Sequence, residues 1–151
     1  MPVTNRGAFR AQQSFFRNTS TPTVFYLALF DSTTAPVVDT NTFSQLTEIP
    51  AGNGYTTGGI SIARNSTDFD VLTEDDTNDY SYIQLKDIVW TASGGSIPAS
   101  GAGARYACLT DDNATQASRD IIVGWDLASN RVVSTGQTLT IQNAEIRFST
   151  V

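Results

Sequence analysis

"TEIPAGNGYTTGGISIA" (residues 47–63) is the stretch on which the fold turns. It gathers Gly52, Asn53, Gly54, Gly58 and Gly59 around Tyr55, and a loop of this kind either cradles a phosphate or reverses the chain. A phosphate loop requires Gly-x-x-x-x-Gly-Lys-[ST] between a strand and a helix, because a lysine and a helix N-terminus must meet the phosphates. Here there is no lysine, and the loop runs into "ISIA", a strand pattern. The dinucleotide fingerprint Gly-x-Gly-x-x-Gly fails on spacing and context. Asn53-Gly54 is instead a strong signal for a two-residue hairpin turn, and Gly58-Gly59 suits a bulge or a close backbone approach. The stretch is therefore scaffold, and the chain around it is read as β.

Upstream lies "VFYLALF" (24–30), too short and too rich in β-formers for a buried helix. Downstream, strand-like segments fall near 55–63, 69–73, 80–90, 104–110, 120–127 and 138–148, separated by turn residues. The last alternates clearly (Leu139, Ile141, Ala144, Ile146, Phe148) after a slip at Asn143 that reads as a bulge. Short strands with punctuating turns predict a mainly β, single-domain antiparallel sandwich or barrel, jelly-roll-like in outline. No helix of useful length interrupts them, which argues against an α/β nucleotide-binding fold. Trp90 and Trp125 end or interrupt apolar runs and are expected in the core. Two long loops, 31–54 and 91–103, are candidate contact surfaces, the second built of small residues around Ile97 and Pro98.

Helical spacing occurs in one place, "TNRGAFRAQQSFFRN" (4–18). Ala8, Ala11 and Phe15 recur at i, i+3 and i+7, with Phe9 and Phe16 a step round the same face. Thr4 or Asn5 can cap its start and Asn18 can end it. The chain thus divides into an N-terminal helix or arm, 1–22, and a β domain, 23–151. The helix either tucks against its own domain or packs on another subunit.

The sequence contains no histidine and a single cysteine, Cys108. That removes Ser-His-Asp and Cys-His nucleophiles, the usual zinc sites, iron–sulfur clusters and an internal disulfide. What chemistry remains rests on carboxylates, a tyrosine or the lone Lys86, and the reading is of a non-enzyme without cofactor or metal. Net charge is −6 and is unevenly placed. Residues 1–30 carry Arg6, Arg10 and Arg17 and no acid, so the rest of the chain is strongly acidic. Nucleic acid is an unsuitable partner for such a body. The basic arm suits an acidic protein neighbour. No run approaches the ~20 apolar residues of a membrane span, and no signal-peptide pattern opens the chain, which reads as soluble and made in a cytoplasm.

The acidic stretch "DFDVLTEDDTNDY" (68–80) matches no calcium-loop spacing and lacks the central glycine, so it reads as a solvated turn. Asp111, Asp112 and Asn113 form a second acidic turn, read the same way. Tyr55, Tyr80 and Tyr82 would serve as stacking platforms if the chain were a glycan-binding module.

Taken in order, "TNRGAF", "FYLALFDS", "TEIPAGNGYTTGGISIA", "IVWTASGG", "ARYACLTDD", "DIIVGWDL" and "GQTLTIQNAEIRFS" resemble a widespread group of small virion proteins of tailed bacteriophages. The resemblance spans nearly the whole chain, and its motifs are structural, not catalytic. It implies a virion part, either a head decoration (cement) protein bound to the major capsid protein or a tail- or fibre-associated component. It also implies a homo-oligomer, with a trimer favoured. The chain has no repeats, heptads or collagen-like pattern from which to build a shaft. A compact domain suits decoration. The candidate assembly contacts are then Arg6, Phe9, Arg10, Phe15, Phe16 and Arg17 on the arm, with Ile97 and Pro98 on the second loop.

Overall fold

The computed structural model describes residues 3–19 and 21–149; positions 1, 2 and 20 of the expected arm and 150 and 151 of the expected β domain lie outside the described residues. One helix, α1 (Asn5–Arg17), precedes nine strands: β1 (Val24–Phe30), β2 (Ile60–Ala63), β3 (Val71–Asp75), β4 (Tyr80–Leu85), β5 (Ile88–Thr91), β6 (Ala104–Thr110), β7 (Ile121–Arg131), β8 (Thr138–Ile141) and β9 (Ala144–Ser149). All strand pairings are antiparallel. One sheet has the order β2-β1-β6-β7; facing it are β3-β4-β9 and the pair β5-β8. The arrangement is a sandwich, not a closed barrel.

Two segments expected as single strands are each bent across this second layer. The 80–90 stretch breaks at Lys86-Asp87 into β4 and β5, and the 138–148 stretch breaks at Gln142-Asn143 into β8 and β9. The breaks face each other, since Leu85 pairs with Ala144 and Ile88 with Ile141. Gln142 Nε2 donates across the bend to Asp87 at 3.0 Å. Asn143 adopts φ 52°, so the slip in alternation marks a corner where the chain changes sheets.

β1 shows why a continuous apolar run is needed here. Leu27 and Leu29 face the interior between the sheets, among Ile62, Leu85, Trp90, Leu109 and Val123. Ala28 and Phe30 face the other way, yet they are equally buried, packed with Phe43, Leu46, Cys108 and Ile121. The cover is the 31–54 loop, whose short 3₁₀ turn Phe43–Gln45 carries Phe43 onto Phe30 at a ring separation of 4.9 Å. A strand covered on both faces has no polar position to alternate with. Leu27, Leu29 and Phe30 each contribute about 1.5–3 kcal/mol by leaving water. The loop first read as a contact surface is in large part the lid of a second core.

The glycine-rich stretch is scaffold, as expected. Gly52 and Tyr55 form a two-residue hairpin, with N–H to O=C bonds of 2.8 and 3.0 Å in the two directions. Asn53 and Gly54 at its tip both have positive φ, 55° and 109°, the requirement of a type I′ turn. Tyr55 is buried, so it offers no stacking platform. Its hydroxyl accepts from the Leu29 N–H at 3.0 Å and donates to Glu48 at 2.7 Å. Burial, reinforced by the Glu48 charge, pushes its pKa far above the ordinary tyrosine range. Glu48 also accepts from Gly58 N–H and from Gln116, so one carboxylate ties the turn to β1 and to the loop before β7.

The second long loop turns its apolar residues inward. Ile97 is fully buried and exchanges two backbone hydrogen bonds with Val133; Pro98 is buried beside it. Neither reaches the surface of this chain, which corrects their reading as assembly contacts: the small residues around them are what lets the loop press this close. Trp90 is buried as expected, whereas Trp125 is only half-buried at the rim.

Candidate interaction surface on the N-terminal helix

α1 begins where the sequence places it. Thr4 is the N-cap, its hydroxyl oxygen accepting from Gly7 N–H at 2.9 Å, and Asn18 closes the helix in the left-handed conformation at φ 46°. Thr4 is fully buried because it also joins the helix to β7: its hydroxyl donates to the Ile121 carbonyl, and its N–H donates to Ile122 at 3.0 Å. Val3 adds an antiparallel bridge to Val123. The start of the helix is thereby fastened to the outer edge of β7.

The face that docks differs from the face expected. Gly7 is the buried residue of the helix, and Gly7, Arg10, Ala11 and Ser14 border an apolar groove of about 250 Å³ over Phe25, Phe69 and neighbouring side chains. At about 100° per residue, Phe9 lies some 200° round the helix from Gly7, and Phe16 the same from Ser14. Phe9 and Phe16 therefore point away from the body, and Phe15 lies at its side, about 80° round from Gly7. Phe9, Phe15 and Phe16 are 47%, 83% and 77% exposed, and Phe15 meets Phe16 edge-to-face at 4.9 Å. The apolar spacing correctly signals a helix, but the body selects the small residues, because the backbones approach too closely for large ones.

The arginines divide. Arg10 donates to Asp120 at 2.6 Å and to Asp111 at 3.3 Å, and Arg6 lies 3.6 Å from Asp120. Both carboxylates are nearly buried, so the turn at 111–113 is not the solvated feature expected. Desolvation pushes the Asp111 pKa upward against the N–H groups of Asp120 and Asn113. Asp112, one residue on, is held below the usual carboxylate range: burial raises it, but Thr23 N–H, the Thr23 hydroxyl and Val24 N–H outweigh that effect. Two of the three arginines expected to meet an acidic neighbour are thus engaged within their own chain. Arg17 is exposed.

Elsewhere the polar side chains do structural work. Lys86 pairs with Asp68, whose other oxygen accepts from Ala63 N–H at 2.6 Å, joining the end of β4 to the end of β2. Asp75 accepts from Thr77 and Asn78 and shapes the β3–β4 turn, and no cluster of three or more metal-ligating side chains occurs among the described residues. Tyr80 and Tyr82 stand 6.0 Å apart with the Arg147 guanidinium over both rings, at 4.7 and 5.9 Å, so a cation already lies over one face of each ring. Cys108 is buried and its thiol pKa is raised by desolvation, which leaves it unreactive. No helix among the described residues is long and apolar enough to cross a membrane.

What sequence reading missed is the pairing of small residues on the helix with the backbone of β7. The signal that could have found it is Gly7 inside a helical pattern, where a glycine costs about 1 kcal/mol and implies close approach. Comparisons of the chain with protein-family models, curated proteins and solved structures found no match.

Proposed function

We propose that the chain is a structural protein of a tailed-bacteriophage virion, a decoration protein that binds the major capsid protein and stabilises the head. The observation that carries this reading is the orientation of α1. A helix fixed to its own domain through glycine, threonine and arginine, with three phenylalanines turned to solvent, has the form of a presented binding element. Exposed aromatics grouped on one element are uncommon on a free surface and are the residue type that dominates interfaces. The order of motifs along the chain, similar to that of small virion proteins, supports the same reading. Because Arg6 and Arg10 are neutralised by Asp111 and Asp120, the partner surface is apolar with little demand for acids, and copies of α1 meet one another with reduced repulsion. A homo-oligomer is compatible with that, and the trimer is what the resemblance to small virion proteins implies.

The test replaces Phe15 and Phe16 with alanine and leaves Thr4, Gly7 and Arg10 intact, so the domain stays folded. The double variant is expected to sediment as a smaller species than the parent and to leave phage heads lacking the native protein undecorated. Full occupancy on those heads would move attachment away from α1.

A further inference from the structure

The groove beside α1 has a volume of about 250 Å³, more than the roughly 150 Å³ that suffices to hold a benzene ring. An aromatic side chain fits it. Its helix wall is made of small residues, Ala11 and Ser14, while Phe25 and Phe69 line it as an edge-to-face pair 5.7 Å apart. Ile83, Ile146 and Phe148 complete it from β4 and β9. The apolar surface continues onto β3, where Leu72 stands opposite Ile83 on the inward side of its layer and is nevertheless 77% exposed. Phe148 is 44% exposed. Glu74 lies two residues beyond Leu72 on the same side, in line with Ser81 and Phe148.

The helix that walls the groove also carries a ring that matches it. Phe15 follows Ser14 directly and lies at the side of the helix, yet at 83% exposed it stays out of the groove of its own chain. Arg17 and Glu74 are both exposed, and neither forms an ion pair among the described residues. A ring and a space side by side on one patch are both satisfied when two copies meet about a two-fold axis, because such a contact joins a patch to itself. Phe15, Phe148 and Leu72 together leave about 400 Å² of apolar surface in water on each copy. At the usual apolar share of an interface, about 60%, that corresponds to about 1,300 Å² buried by a pair, within the range of stable interfaces. A free apolar molecule in the groove would leave Phe15 and Leu72 in water, whereas a second copy covers all three.

We propose that Phe15 of one copy of this chain enters the groove of a second, whose Phe15 enters the first, with Arg17 of each copy meeting Glu74 of the other. The inference rests on reading α1 as an assembly element, and it names the partner and the seat of one of its rings. An exposed ion pair adds little affinity, but it sets the orientation in which two copies meet. Phe9 and Phe16 stay on the outer side of the helices, where they are free for the capsid protein. The assembly is a dimer where the resemblance to small virion proteins implies a trimer, so the number of copies decides between them.

The experiment is analytical ultracentrifugation of the full chain at about 100 μM, well above the micromolar affinity at the weak end for interfaces of about this size. The parent is expected to sediment as a dimer. Phe15→Ala is expected to weaken pairing by about tenfold or more, and Phe16→Ala to leave it within about twofold. Ser14→Leu, which fills the groove and spares Phe15, is expected to weaken it as much as Phe15→Ala. Arg17→Glu is expected to weaken pairing by about threefold, and Glu74→Arg added to the same chain to restore it. Both of those positions are exposed, so this pair tests the contact even if circular dichroism shows that Ser14→Leu disturbs the helix. A parent that stays single or forms a trimer overturns the proposal. So does pairing that Phe15→Ala or a folded Ser14→Leu leaves unchanged, or that Glu74→Arg fails to restore. A parent that pairs but leaves phage heads bare upholds this contact without the decoration role, whereas one that decorates heads yet stays single overturns the contact alone.

Discussion

Gly7 lies so close to the Ile122 carbonyl that a Cβ at position 7 would fall far inside van der Waals contact of that oxygen and its carbon, and against the Val3 side chain as well. The obstacle is strand backbone, so it cannot swing aside. The whole docking of α1, and with it the outward aim of its phenylalanines, depends on this one missing methyl group.

Gly7→Ala therefore tests the docking directly. In an exposed helix the change would stabilise by about 1 kcal/mol through propensity. Here the added methyl must push the helix off β7, disturbing the Thr4 cap and the Arg10–Asp120 pair. Urea unfolding is expected to show a loss of about 1–3 kcal/mol, the range of overpacked sites. A gain in stability would mean that the helix sits further from β7 than described.

How far the sequence disclosed this arrangement depends on the range of the interaction involved. The Asn53-Gly54 hairpin was legible because two adjacent positive-φ residues are a local requirement. The length and identity of β1 were legible because a strand buried on both faces leaves an unbroken apolar run. The bends at Lys86-Asp87 and Gln142-Asn143 were not, because they arise from two chain segments turning together. The docking face of α1 was hidden for the same reason: the carbonyl that selects Gly7 is more than a hundred residues away. Asp111 read as solvent-exposed because its partner, Arg10, belongs to the helix. Ile97 and Pro98 were misplaced because small neighbours signal a loop without saying which side of it faces in.

The two tryptophans separate core from rim. Trp90 is 4% exposed and packs 6.1 Å from Tyr55, ring centre to ring centre. Trp90→Ala is expected to remove about 3–5 kcal/mol, as large-to-small changes of buried aromatics do. Trp125 is half-buried and loses one hydrogen bond and part of its packing, so Trp125→Ala is expected to be the milder of the two. Chemical denaturation of both variants decides this, and equal losses would place Trp125 in the core.

Asp111 and Asp112 are neighbours whose contributions to stability run in opposite directions with pH. Asp112 has its folded pKa lowered by the donors of Thr23 and Val24. It therefore stabilises the fold above its unfolded value of 3.8 and loses that contribution as the pH falls through the folded value. Asp111 has its folded pKa raised, chiefly by desolvation, with Asp120 adding to the rise and Arg10 opposing it. Its ionised form is a burden at neutral pH that is relieved as the carboxyl takes up a proton. For Asp112→Asn, the stability gap to the parent is expected to narrow from about pH 7 to about pH 3. For Asp111→Asn it is expected to shift in the parent's favour over the same fall, because only the parent gains by protonation. Urea melts of the parent and both variants across that range check the signs. Gaps that move the same way would show that Arg10 and the N–H groups of Asp120 and Asn113 outweigh desolvation at Asp111, and an Asp111→Asn gap that does not move with pH would show that Asp111 is solvated.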